Sequence, residues 1–521
     1  MKRKAMKRTD ALLASLLLTL PMACAVGPDY VKPEVAKPAQ QYKEMKGWKV
    51  AQPKDEAPRG KWWKILSEWD NAADPELDAL EAQIDISNQT IKQSEASFTQ
   101  ARAMVSEARA SFFPNANLDV SRQRTNSPPP SNSQQFFEAP GVIYPSYSAS
   151  ISTQWELDVW GRIRRTVESD QASAQAGAAD LAAARLSAQA QLATTYINLR
   201  YADEQKRLLD SLVGYYEKTL QLTQNMYDAG ISRRSDLVQA QQQLASGKAD
   251  AIDIGVQRAQ YEHAIAVLVG RSPSDFGIPV TSDVPLAPDV PLSVPSELLE
   301  RRPDIAGAER RVAAANAQLG VSEAGYFPTL KLNAYGAYQS LSFEHFSQLF
   351  SNPTRTWSIG PDFSLPILDF GSNNAKMREA VATYDQVVAS YRQTVLSGFQ
   401  EVEDNLAALR ILGEEIEAQR QSVALSQRAM TLVLNQYKEG EGRYLDVLTA
   451  ENAMAKSEMS LLSVEQKRMT AAITLIKALG GGWDTHALKA AKVPWSETFK
   501  NMIPVPCPIT SADCAKPKEP Q

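Results

Sequence analysis

Tyr227-Asp228-Ala229-Gly230-Ile231-Ser232-Arg233-Arg234-Ser235-Asp236 is answered 210 positions later by Tyr437-Lys438-Glu439-Gly440-Glu441-Gly442-Arg443-Tyr444-Leu445-Asp446, with the Tyr, Gly, Arg and Asp in one register. Val269-Gly270 keeps the same offset before Leu479-Gly480. Farther out, Ser111-Phe112-Phe113-Pro114 pairs with Gly325-Tyr326-Phe327-Pro328, now 214 positions on, and Leu157-Asp158-Val159-Trp160-Gly161 pairs with Leu368-Asp369-Phe370-Gly371. One loop therefore differs by four residues. Residues 75–270 recur as residues 295–480, so the 521-residue chain reads as one body made of two homologous halves. The period is far beyond the ~20–50 residues of solenoid units.

Each half follows one order: a helix of about 35 residues, an aromatic-Pro stop, a strand, a polar loop, a second strand and two long helices. Strands are expected at about 115–125, 146–157, 329–340 and 355–366. In the second of these, Tyr147, Ala149, Ile151, Thr153, Trp155 and Leu157 alternate with Ser148, Ser150, Ser152, Gln154 and Glu156. Segments of this length suit a tilted membrane-crossing strand of ~10 residues, and equally a half-buried soluble sheet. Four strands are too few for a closed barrel, so the membrane reading requires several chains to remove the sheet edges; three chains supply twelve strands.

Long helices are expected from Arg162 to Asp228 and from Ser372 to Glu439, each ~100 Å at ~1.5 Å per residue. No globular core stabilises such a rod, so these helices must pack side by side. Alanines at 172, 174, 176, 178, 179 and 182–184 permit close approach, and the Gln, Arg and Glu content supplies wet faces. A two-stranded coiled coil would show sustained Leu/Ile heptads; the diluted stripe here favours a curved helical wall. Breaks at Gly230 and Gly440 precede helices from about Ser232 to Val269 and Tyr444 to Leu479, giving an αα-hairpin whose tip lies opposite the strands. A Pro-rich linker, residues 271–294, joins the halves. The flanks, residues 24–74 and 481–521, show little periodicity and are expected to wrap the wall.

Residues 1–23 read as an export signal, with Lys2, Arg3, Lys4, Lys7 and Arg8 before the apolar run Ala11–Leu20. Ala23-Cys24 resembles a lipoprotein processing site, making Cys24 the lipidated first residue; the plainer reading is an ordinary signal with an incidental Cys. Ala25 in place of an Asp favours the outer membrane over the inner. Cys507 and Cys514, the only other cysteines, lie in a tail exposed to an oxidising compartment, where a local disulfide is expected. The net charge of −5 without a basic block argues against nucleic-acid partners. His263, His345 and His486 stand alone, and no metal spacing, nucleophile elbow or phosphate loop occurs, so neither catalysis nor a cofactor is expected.

Cys24-Ala25-Val26-Gly27-Pro28-Asp29-Tyr30, Pro295-Ser296-Glu297-Leu298-Leu299-Glu300-Arg301-Arg302-Pro303-Asp304-Ile305, both Leu-Asp-aromatic-Gly turns and Leu479-Gly480-Gly481-Gly482-Trp483 resemble the TolC family of outer-membrane efflux proteins, in its NodT-type lipoprotein branch. The resemblance implies a mainly α protein with membrane β: duplicated strand-strand-helix-helix units forming a homotrimeric twelve-stranded β-barrel continued by a twelve-helix α-barrel. It implies passive exit of solutes through a tripartite pump, with a periplasmic adaptor and an inner-membrane transporter as partners and outer-membrane lipid around the barrel.

Matched to the family's tip motif, Leu445 and Asp446 fall at the constricting positions of the periplasmic gate, and Thr449 stands where a second Asp ring would lie. The family's closed-state latch falls on Asp236 and Tyr437; its Arg position holds Gly442, so Arg443 is taken as the partner. Adaptor docking falls on Gly230, Ile231 and Ser232 and on Gly440, Glu441 and Gly442. The competing reading is a lipid-anchored periplasmic coiled-coil structural or adaptor protein without a channel, which leaves the four alternating strands unexplained.

Overall fold

The computed structural model describes residues 25–35, 42–44, 62–64, 75–127, 142–281, 301–340, 355–483, 488 and 492–500. The signal segment, Cys24, Cys507, Cys514, most of both strand-connecting loops and the run Pro295–Glu300 lie outside the described residues. The first half contains α1 (Pro75–Ser87), α2 (Gln89–Ala110), β1 (Asn115–Ser127), β2 (Val142–Glu156), α3 (Arg162–Asp228) and α4 (Arg234–Leu268). The second contains α5 (Pro303–Ala324), β3 (Thr329–Ser340), β4 (Arg355–Ser364), α6 (Ser372–Lys438) and α7 (Tyr444–Ala478), followed by a short α8 (Trp495–Lys500).

The first helix expected in one piece is two. Asn88 leaves the helical region, and its side chain accepts the amide of Ile91 (3.0 Å), restarting the helix as an N-cap. Its amide nitrogen also donates to the Leu268 carbonyl at the end of α4 (2.7 Å). The second half repeats the joint with different chemistry: Arg302, at the N-cap of α5, donates to the Ala478 carbonyl at the end of α7 (3.2 Å). The glycines beyond those ends are required at both places. Gly270 and Gly480 have φ of 68° and 93°, and a Cβ would meet the Ser87 carbonyl oxygen at 2.5 Å and that of Arg301 at 2.0 Å. This explains the Val/Leu-Gly pair in each repeat: it lets the end of one hairpin helix seat on the start of the same half.

The four strands form one antiparallel sheet in the order β1-β2-β3-β4. Strands β2 and β3 pair across the repeat boundary, with Ile151 opposite Gly336 and Thr153 opposite Ala334. Register carries the period-2 pattern through the sheet: Leu118, Ile151, Gly336 and Trp357 form one row, and Ser152 pairs with Asn117 on the polar face. Leu118, Val120, Ile151, Trp357, Ile359 and Phe363 are all exposed, so no element among the described residues covers the apolar face.

Helices α3 and α6 each run 67 residues from a left-handed glycine, Gly161 (φ 81°) and Gly371 (φ 87°). Asp158 accepts the amides of Ile163 (2.8 Å) and Arg164 (3.0 Å), and Asp369 those of Gly371 and Asn373 (both 2.9 Å), so the Leu-Asp-aromatic-Gly turns are helix starts that satisfy free N–H groups. Ala172, Ala174, Ala176 and Ala179 are buried along α3, and Gly307 of α5 sits against Ala179, which confirms the close-packing use of small residues. The main apolar cluster gathers Leu192, Tyr196, Val402, Leu406 and Ile473 from three helices.

Described parts of the flanks lie on this wall, and some enter it. Tyr42, Trp62 and Trp63 belong to the main core, which an unpatterned extension did not foretell. Val26 donates to the Trp160 carbonyl (3.0 Å), the buried Arg165 holds the Val26 and Gly27 carbonyls and Asp29, and Trp495 of α8 packs on Phe112.

Candidate functional site

The tips of the two hairpins carry most of the residues singled out by sequence. In the first, α3 ends at Gly230 (φ 73°), and the amides of Ile231 and Ser232 turn back to the Met226 carbonyl (2.8 and 3.2 Å). In the second, α6 ends at Gly440 (φ 78°), and Glu441 and Gly442 donate to the Gln436 carbonyl (3.0 and 3.2 Å). Both are glycine C-caps that satisfy terminal carbonyls. The six tip residues form two neighbouring exposed or half-exposed turns.

Leu445, Asp446 and Thr449 lie on the first turns of α7, all exposed, with the Thr449 hydroxyl donating to the Leu445 carbonyl (2.8 Å). Asp446 accepts from the Arg443 amide (3.4 Å) and Asp236 from the Arg233 amide (3.4 Å), so each carboxylate closes over the start of its own helix. Tyr437 is buried, yet its hydroxyl meets Ser232 (3.3 Å) and Thr223 (3.2 Å), not Asp236. Among the described residues no ion pair involves Arg443. The chain alone thus ties its two hairpins through Tyr437, Ser232 and Thr223, and leaves Asp236 and Arg443 apart.

A second tie was not visible in the sequence. Glu451 of α7 is buried and accepts the Thr219 hydroxyl of α3 (2.6 Å), while its other oxygen has no partner. Burial pushes its carboxyl up, the Thr219 hydrogen bond acting against that shift. The signal was a mismatch between the halves, since the equivalent residue 210 positions earlier is Gln241, exposed on α4. Above the tips, Gln243 reaches Asn452 (3.0 Å), beside an open groove lined by Tyr216, Gly247, Asp250 and Lys456.

At the opposite end from the tips, the exposed apolar sheet face continues into the long helices. No helix among the described residues is long and apolar enough to cross a membrane. The chain is thus a tall helical wall with hairpin tips at one end and a four-stranded sheet with an exposed apolar face at the other. The model of the outer membrane efflux protein family matches residues 80–271 and again 294–481. The chain belongs to the outer membrane efflux protein family.

Its relatives agree over nearly their whole length. The toluene efflux pump outer membrane protein TtgC of Pseudomonas putida is 29% identical over 481 residues, covering 92% of this chain and 96% of the relative. Outer membrane protein OprJ of Pseudomonas aeruginosa is 29% identical over 476 residues, 91% of this chain and 96% of the relative. The solved outer-membrane channel OprN superposes with a TM-score of 0.79 at 29% identity, covering 88% of this chain and all of that one. This efflux protein is an outer-membrane exit channel with the TolC-like fold, and its relatives are channels rather than enzymes. The reading as a coiled coil without a channel is set aside by these matches and by the uncovered sheet face.

Proposed function

We propose that three copies of this chain close into a twelve-stranded barrel continued by a twelve-helix tube, which serves as the passive exit of a tripartite pump. The observation that carries the reading is the apolar sheet face left bare, with β1 and β4 as open edges, above two hairpins of 67- and 35-residue helices. Open edges and a bare apolar face are costly in water, and only closure within lipid satisfies both. A periplasmic adaptor docks at the tips around Gly230–Ser232 and Gly440–Gly442, and an inner-membrane transporter supplies the energy. Lipid on Cys24 anchors the start of the mature chain. Relatives are named for toluene and for antibiotic efflux, and the cargo here is assigned to the transporter rather than the duct.

Leu445, Asp446 and Thr449 line the periplasmic mouth in this reading. Three copies of Asp446 around one axis concentrate negative potential and attract cations. The latch of Asp236, Tyr437 and Arg443 operates between assembled hairpins, where the Asp236 carboxylate exchanges its weak 3.4 Å cap for a partner. Asp446→Ala in bilayer-reconstituted channels is expected to lower cation selectivity and raise conductance. Unchanged current and selectivity would remove Asp446 from the gate.

A further inference from the structure

Glu451 occupies a position that an acid ordinarily avoids. On α7 the buried residues near the tip are Tyr444, Val447, Glu451 and Met454, the spacing of a helix seam. Tyr444, Val447 and Met454 share one apolar cluster with Tyr216 of α3 and Tyr437 of α6, and Glu451, 1% exposed, interrupts their stripe. Opposite it, α3 presents two buried hydroxyls one turn apart. Thr219 donates to one Glu451 oxygen (2.6 Å), and Thr223 accepts from Tyr437 (3.2 Å). The repeat holds no second copy of this arrangement. Residues 210 positions after Thr219 and Thr223 are Ala429 and Val433, and those 210 before Glu451 and Tyr444 are Gln241 and Arg234, both exposed.

Each hairpin is locked within itself. The Tyr216 ring lies on Gly247 of α4, where a Cβ would meet it at 2.8 Å, and Lys248 pairs with Glu217 (2.8 Å). Gln427 of α6 donates to Glu458 of α7 (2.6 Å). The seam between the hairpins is therefore the line along which they can part. The second Glu451 oxygen has no partner, and no ion pair among the described residues involves Glu451. Around the carboxyl stand Thr219 and Tyr216 of α3 and Tyr444 of α7, with Tyr437 of α6 beside Tyr444. Asp250 and Asp236 of α4 bear on Tyr216 and Tyr444, and Lys456 of α7 is exposed in the groove beside Tyr216. A neutral carboxyl suits such a seam; a carboxylate held there with one hydrogen bond does not.

We propose that Glu451 is a proton-operated joint between the two hairpins: protonated, it seats against Thr219 and keeps α7 on α3, and ionised, it parts the seam and opens the tip end of the duct. The inference rests on the exit-channel reading above and adds a control of its mouth separate from Asp446. Burial raises the Glu451 carboxyl above its ordinary range, so the joint is fully made below that range and is lost as pH rises through the raised value. The Thr219 hydrogen bond opposes that shift, so its removal moves the loss to higher pH.

The test measures conductance against pH for the full chain reconstituted in bilayers, with Asp446→Asn as background to silence the acid at the mouth. Conductance is expected to rise several-fold between about pH 5 and pH 8. Glu451→Gln keeps the shape and the acceptor but cannot ionise, so it is expected to conduct poorly and equally across that range. Glu451→Leu, at home in an apolar seam, is expected to give the same flat profile, and Thr219→Val to move the midpoint upward. A flat background profile, a Gln variant that keeps the slope or conducts well throughout, or an unmoved midpoint in Thr219→Val overturns the joint while the channel reading stands. A reconstituted chain that carries no current at any pH overturns both.

Discussion

Glu81 shows how a single residue sets a pH response in the wall. It is fully buried on α1, neither carboxylate oxygen has a partner, and burial with Asp85 and Asp78 nearby pushes its pKa up to about 9. A carboxyl whose folded pKa is raised binds its proton more tightly in the folded state, so stability is full below its ordinary pKa and is lost as pH rises from there towards 9. Glu81→Gln removes that dependence. Thermal unfolding is expected to show a midpoint higher by a few degrees for the variant at pH 8 and the same as the parent at pH 4; an equal difference at both values would contradict burial of Glu81 as the protonated carboxyl. Nothing in the sequence marks Glu81, because a Glu on an amphipathic helix is ordinarily on its wet side. The tip carboxylates were legible as positions but not as partners. Asp236 and Asp446 lie in the first turns of α4 and α7, and each accepts the amide of its own helix's N-cap residue, Arg233 or Arg443.

At the scale of elements, the Gly, Pro and aromatic punctuation was the readable part. The 67-residue helix from Arg162 to Asp228 and the strand from Thr329 to Ser340 begin and end where their signals stand. The break at Asn88 was not read, because an Asn inside a long polar helix carries no mark until its partner, the end of α4, is known. Glycines in the same left-handed conformation serve unequal purposes. Gly440 has open space around its missing Cβ, whereas Gly480 would bring one to 2.0 Å from a backbone oxygen. Gly440→Ala is therefore expected to cost about 1 kcal/mol, the conformational term alone. Gly480→Ala should cost several times that and loosen α5 from α7, read as lost amide-exchange protection near Arg302. Equal costs in denaturant unfolding would show that the close approach does not matter.

At the scale of the molecule, duplication, strand alternation and helix length were enough to read a duplicated body of strands and long packed helices, since each is a pattern repeated over many residues, and the duct itself came from the resemblance to the efflux family. What one chain's sequence could not reveal was how the flanks pay into the core, with Trp62 and Trp63 buried beside α1, or which surface the halves leave open for another copy. Those depend on contacts between segments that share no period. The account's central claim is that the bare apolar face and the two open edges belong to a closed tube through the outer membrane. Imaging single particles of the detergent-extracted chain tests this most directly. The account predicts three copies around one axis, with a water-filled bore running from the sheet through the helices to the hairpin tips. A monomer, or an assembly whose axis is filled by side chains throughout, would contradict it.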